Sequence, residues 1–181
     1  MRIRLPHLTC AGAVLAIGLT GCGSSSTSPN PAIQQAPSAA QGPIKVPAAV
    51  TTPKTGPLSK EPTIAKPTGA APKKLIVKDL VKGTGAVLKI GQTATVNYVG
   101  ATYPNAKIFD ASWTRGQPAQ FQLVTGGLIT GWLQGLPGMR VNGRRELIIP
   151  AALGYGKPGN SAAGIAPNTP LIFIVDLLGA S

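Results

Sequence analysis

The chain is poor in chemistry-bearing side chains: its 181 residues hold two cysteines, one histidine and five acidic residues. So few candidate ligands leave no cluster for a metal, and neither a metal site nor a cofactor is expected. Cysteine is too scarce for a disulfide framework, so the fold must rest on its core alone. Aromatic residues are also few, eight in all. Acidic side chains are outnumbered by seventeen Lys and Arg, giving a net charge of +12. The positive charge is dispersed, without a stripe interleaved with aromatics. It suits anionic lipid headgroups or wall polymers better than nucleic acid, and a solvated surface is its default use.

The N-terminus sets the compartment. Arg2 and Arg4 form a short positive start, and the apolar run over 8–19 that follows falls short of the ~20 residues of a spanning helix. It leads into Leu19-Thr20-Gly21-Cys22. That block is similar to the lipobox of bacterial lipoproteins, in which a diacylglyceryl group joins the cysteine before cleavage makes it the first mature residue. The resemblance implies a signal peptide over 1–21, lipid on Cys22, and an exported chain anchored at the extracytoplasmic face of a bacterial membrane. Cys10 would leave with the signal peptide. The alternatives are an ordinary secretory signal with a chance cysteine, or a short core helix.

Composition then shifts. Residues 23–72 open with Gly23-Ser24-Ser25-Ser26 and contain ten of the eighteen prolines, with no aromatic residue. Such a segment buries too little apolar surface to offset backbone ordering, so 22–72 reads as a disordered tether, biased toward polyproline II. At ~3.1 Å per residue its reach is on the order of 150 Å.

Residues 73–181 are of single-domain size. Strand patterns occur over 74–78, 93–99, 120–124, 144–149 and 171–178. Within 93–99, Thr93, Thr95 and Asn97 alternate with Ala94, Val96 and Tyr98, as in a half-buried strand. Only 129–136 reads as a helix, stopped by Pro137-Gly138. The expected fold is α+β: a curved antiparallel sheet of five or six strands, a half-barrel around one short helix. Since 23–72 lacks a core, 73–181 is expected to carry the whole activity, with the tether dispensable in solution. Five of the eight aromatics, Tyr98, Phe109, Trp132, Tyr155 and Phe173, fall in short stretches with small and apolar neighbours, so they build a pocket or at least the core.

Six ordered blocks carry a family resemblance. They are Val96-Asn97-Tyr98-Val99-Gly100, Phe109-Asp110-Ala111-Ser112, Gly131-Trp132-Leu133-Gln134-Gly135-Leu136-Pro137-Gly138-Met139, Arg144-Arg145-Glu146-Leu147-Ile148-Ile149-Pro150, Leu153-Gly154-Tyr155-Gly156 and Leu171-Ile172-Phe173-Ile174-Val175-Asp176-Leu177-Leu178. Over 75–179 the chain resembles the FKBP-type peptidyl-prolyl cis-trans isomerases. The resemblance implies rotamase activity on X-Pro bonds of exported polypeptides, a monomer, and binding of macrolides of the rapamycin type. It also implies Trp132 as the floor under the proline ring, with Tyr98, Phe109, Leu128, Ile129 and Phe173 as walls. Phe121 and Ile165 join the substrate pocket. The Ile129 N–H and the Tyr155 hydroxyl would donate to substrate carbonyls, and Asp110 would be the rim carboxylate, paired with Arg115.

Departures from the family pattern are Ala119 where a second lip phenylalanine is common, Gly127 where glutamate is frequent, and a flap over 157–164 with Ile165 as its apolar tip. The alternative reading of the domain is a non-catalytic proline-binding or chaperone module tethered to the membrane.

Overall fold

The computed structural model describes residues 50–181; the expected signal peptide over 1–21, Cys22 and the first half of the expected tether lie outside the described residues. In chain order the strands are β1 Ile76–Val81, β2 Thr93–Thr102, β3 Lys107–Ala111, β4 Ala119–Gln122, β5 Gly143–Ile149 and β6 Leu171–Ala180, with one helix, α1 Thr130–Gly135. All pairings are antiparallel, in the order β1-β5-β6-β2-β3, and β4 also pairs with β2. The long β2 takes two short partners on one edge, β4 along Thr93–Val96 and β3 along Val99–Thr102. This is the expected half-barrel around one short helix. The β3 segment carries too short an alternation to be read as a strand from the sequence.

The concave face holds the main core. Ala94, Val96 and Tyr98 of β2 meet Leu147 and Ile149 of β5, Phe173, Val175 and Leu177 of β6, and Trp132 of α1. The helix approaches β5 on a glycine face. A Cβ at Gly131 would fall 2.5 Å from Ile149 Cγ2, and one at Gly135 would fall 2.7 Å from a Leu147 methyl. Any larger residue would lift α1, and Trp132 with it, off the sheet. Arg145, the second inward residue of β5, lies under the end of this helix. Its guanidinium donates to the Gly135 carbonyl at 2.8 Å and pairs with Asp79 of β1 at 2.6 Å. It satisfies a carbonyl that the helix leaves free.

Two sequence expectations are corrected on the convex face. Alternation predicts a half-buried β2, yet its interior residues are buried on both faces. The cover is the last part of the supposed tether, so the folded unit includes residues 50–72 as well as 73–181. Leu58 is 4% exposed, and Ile64, 9% exposed, packs with Val99, Ala101, Ile172 and Ile174. Polar contacts fix the same strap: Thr52 to Asn97, Lys60 O to Arg144, and the Gly69 and Ala70 carbonyls to the Tyr103 hydroxyl. Arg144 in turn forms a fork with the fully buried Asp176, at 2.5 and 2.7 Å. Burial pushes that carboxyl above the ordinary carboxylate range, and Arg144 opposes the shift. Prolines that argue against a core also restrict the unfolded chain, so a few anchors suffice to order the strap.

Candidate functional site

Five elements each deliver one ring to the concave face. Trp132 of α1 stands at the centre, edge-on to Phe121 of β4 and Phe173 of β6, both at 5.3 Å between centroids, and to Tyr98 of β2 at 5.6 Å. Phe109 of β3 meets Phe173 at 5.6 Å and is half-buried, so it forms the open side of the cage. Edge-to-face packing of this kind contributes about 0.5–1.5 kcal/mol per pair beyond buried area. Gly100 makes the arrangement possible: a Cβ there would lie 2.6 Å from the Phe173 ring and 2.9 Å from the Phe109 ring.

A polar triangle closes one corner. The Tyr98 hydroxyl donates to Asp110 Oδ2 at 2.5 Å and accepts from Arg115 Nη2 at 2.8 Å, while Arg115 Nη1 donates to Asp110 Oδ1 at 2.7 Å. The Arg115 guanidinium carbon also lies 5.6 Å from the Tyr98 ring centre. The Asp110–Arg115 pairing was expected; the hydroxyl joining both was not. A tyrosine twelve residues upstream gives no sequence signal for that contact. Burial holds the Tyr98 hydroxyl far above its ordinary value, the Asp110 hydrogen bond and charge add to this, and Arg115 opposes it. Tyr98 therefore stays neutral at any pH where the protein works.

Other buried polar atoms of the cage have no partner. Among the described residues three buried side-chain atoms lack one: Trp113 Nε1, on the convex side, and Trp132 Nε1 and the Tyr155 hydroxyl in the cage, where the Ile129 N–H also donates to no backbone or side-chain acceptor. Burial raises the Tyr155 hydroxyl as well; the neighbouring Asn160 side chain opposes the shift without forming a well-aligned hydrogen bond, and the Asp110 charge adds to it. Unpaired buried donors are costly, and a folded protein that keeps several beside one apolar concavity is poised for a ligand bearing acceptors. Leu128, Ile129, Tyr155 and Ile165 all pack into the cluster with the rings. Ile165, the apolar tip of the flap, is 2% exposed and packs inward, since paired hydrogen bonds between its backbone and that of Asn160 fold the loop back.

A half-barrel closing on an aromatic cage, with hydrogen-bond donors and no nucleophile in it, defines a site for binding a compact apolar ring flanked by carbonyls. Residues 85–178 match the family model of the FKBP-type peptidyl-prolyl cis-trans isomerase. The chain belongs to that family and is a peptidyl-prolyl cis-trans isomerase. It is 50% identical over 119 residues to an FK506-binding protein of Streptomyces anulatus, a match covering 66% of this chain and 96% of that protein. A probable FK506-binding protein of Corynebacterium glutamicum is 44% identical over 121 residues, covering 67% and 99%. The crystal structure of FkpA from Escherichia coli superposes with a TM-score of 0.54 at 40% identity, covering 59% of this chain and 48% of that one.

Proposed function

We propose that this isomerase acts on X-Pro bonds of exported polypeptides at the cell envelope, held to a membrane by lipid on Cys22. The observation that carries the site assignment is the ring cage with its unpartnered donors. Trp132 is the floor for the proline ring, and Tyr98, Phe109, Leu128, Ile129 and Phe173 are its walls, with Phe121 and Ile165 behind them. The Ile129 N–H and the Tyr155 hydroxyl donate to substrate carbonyls. Asp110 is the rim carboxylate, fixed by Tyr98 and Arg115.

The chemistry needs no covalent step. An X-Pro bond turns over a barrier of ~18–20 kcal/mol because the amide loses resonance when twisted. The planar amide is the more polar form and water favours it. A dry apolar cage that grips the ring but not the planar carbonyl lowers the barrier by favouring the twisted geometry. Macrolides of the rapamycin type suit the same cage, and Ala119 at the lip leaves it more open than a second phenylalanine would.

Tyr155 tests the assignment. Its hydroxyl has no partner in the folded protein, so Tyr155→Phe should leave the Tm unchanged or slightly raised. The same change should lower kcat/KM several-fold on an X-Pro peptide, the loss of about one hydrogen bond worth ~1 kcal/mol. A Tm drop with unaltered kcat/KM would make Tyr155 a core residue instead.

The anchor has its own test. Cys22→Ala should leave the domain folded and active but release it from membranes, because each lipid methylene contributes ~0.8 kcal/mol of membrane affinity. Sedimentation of Cys22→Ala with membranes after a salt wash would end the lipid reading.

A further inference from the structure

The geometry points to a positioning relay, Thr52–Asn97–Ser112, through which the N-terminal strap sets Tyr98 and the carboxylate that Tyr98 holds. Successive residues of a strand face opposite sides. Asn97 therefore points to the convex face, under the strap, while Tyr98 points into the cage. Asn97 Nδ2 donates to Thr52 Oγ1 at 2.7 Å, and Asn97 Oδ1 accepts from the Ser112 hydroxyl at 3.1 Å. Ser112 Oγ accepts the Tyr98 N–H at 3.0 Å, and the Ser112 N–H donates to the Tyr98 carbonyl at 3.0 Å. Ser112 thus grips the Tyr98 backbone on both sides.

The amide of Asn97 has one orientation that satisfies this chain. Reversing it would leave the Ser112 hydroxyl proton without an acceptor. Asn97 is 2% exposed and Ser112 is fully buried, so water cannot replace a lost member. Only the Thr52 end is partly open, and it is the strap's contribution. Ser112 lies two residues after Asp110 and three before Arg115. The grip that places Tyr98 therefore also fixes the junction between β3, which carries Asp110, and the turn over Trp113–Arg115, so it sets both partners of the hydroxyl. None of the three relay residues contributes a ring or an apolar wall to the cage; they are positioning residues.

Thr52 is separate from the strap's apolar anchors, Leu58 and Ile64, so positioning and stability can be varied independently. The experiment uses the full-length chain with Thr52→Val, Thr52→Ser and Ile64→Ala. Each is assayed for kcat and KM on an X-Pro peptide well below its own Tm, and for amide hydrogen exchange at Tyr98 and Ser112 by NMR. Thr52→Val keeps the shape but removes the polar partner of Asn97. It is expected to lower kcat/KM by about 3- to 10-fold, and to speed exchange at Tyr98 relative to other β2 amides. Thr52→Ser should restore both. Ile64→Ala should lower the Tm while keeping kcat/KM within about twofold of wild type, as a change that weakens the strap without touching the relay. The activity arm rests on the isomerase function, whereas the exchange arm reads the relay whichever peptide is used. A folded Thr52→Val with unaltered kcat/KM and unaltered Tyr98 exchange overturns the proposal. So does Ile64→Ala matching Thr52→Val in both readouts, which would reduce the strap to a stabilising cover.

Discussion

Replacing Arg145 with methionine is expected to lower stability by about 3 kcal/mol, the upper scale for leaving a buried acceptor without its donor, and the Tm by roughly 10 °C. The aliphatic stem survives this change, so the loss is polar. Four acceptor atoms are left behind: Asp79 Oδ1 and Oδ2, bonded at 2.6 and 3.2 Å, the Gly135 carbonyl at 2.8 Å and the Pro137 carbonyl at 3.4 Å. They are not equivalent. The Asp79 side chain is 38% exposed and can turn to water, whereas the Arg145–Gly135 contact is buried. Most of the cost therefore belongs to the helix end, and Asp79→Asn should cost under ~1 kcal/mol, as exposed pairs do. Thermal unfolding of the two variants decides the matter. Equal Tm shifts would show that the charge pair, and not the helix cap, is what Arg145 supplies.

How much of this was readable beforehand differs by element. The run from Leu171 to Leu178, broken only by Asp176, has no polar alternation, and β6 is indeed buried on both faces. That pattern announces a cover on the convex face without saying what supplies it. The cover, the strap, is hidden in the sequence because Leu58 and Ile64 are isolated among prolines, and composition over fifty residues averages them away. Thr95 and Asn97 look like solvent-facing positions for the same reason: a polar side chain on an alternating strand marks an open face unless a distant segment brings it a partner. Thr52, 45 residues upstream of Asn97, is such a partner.

The cage itself was legible because its members are scarce residue types in ordered blocks, and the fold then brings them from five elements to one point. Its polar corner was legible in part. Asp110, at the end of β3, and Arg115, in the turn that follows, sit five residues apart, so their pairing is local and readable. The Tyr98 hydroxyl enters from another strand. Pairing across strands depends on register, and the register of β2 with β3 slips between Gly100 and Ala101, which no periodicity reveals.

Trp132→Leu should lower kcat/KM by roughly 10- to 100-fold, more than any single polar change in the cage. The indole makes edge contacts with Tyr98, Phe121 and Phe173, all within 5.6 Å between centroids. Leucine keeps the site apolar but supplies no flat floor, and a loss of ~2 kcal/mol in gripping the twisted amide corresponds to about 30-fold in rate. Alanine is a poorer probe, since truncating a buried tryptophan destabilises by about 3–5 kcal/mol and would mix unfolding with catalysis. Asp110→Asn leaves the rings in place and changes only the charge at the rim, so its effect should stay several-fold. The comparison separates two accounts of the reaction. If shape and dryness provide the catalysis, Trp132→Leu is the slower enzyme when both are assayed below their Tm. An Asp110→Asn variant that folds yet is on the order of a thousandfold slower would reverse that order and assign the carboxylate a direct part in the barrier crossing.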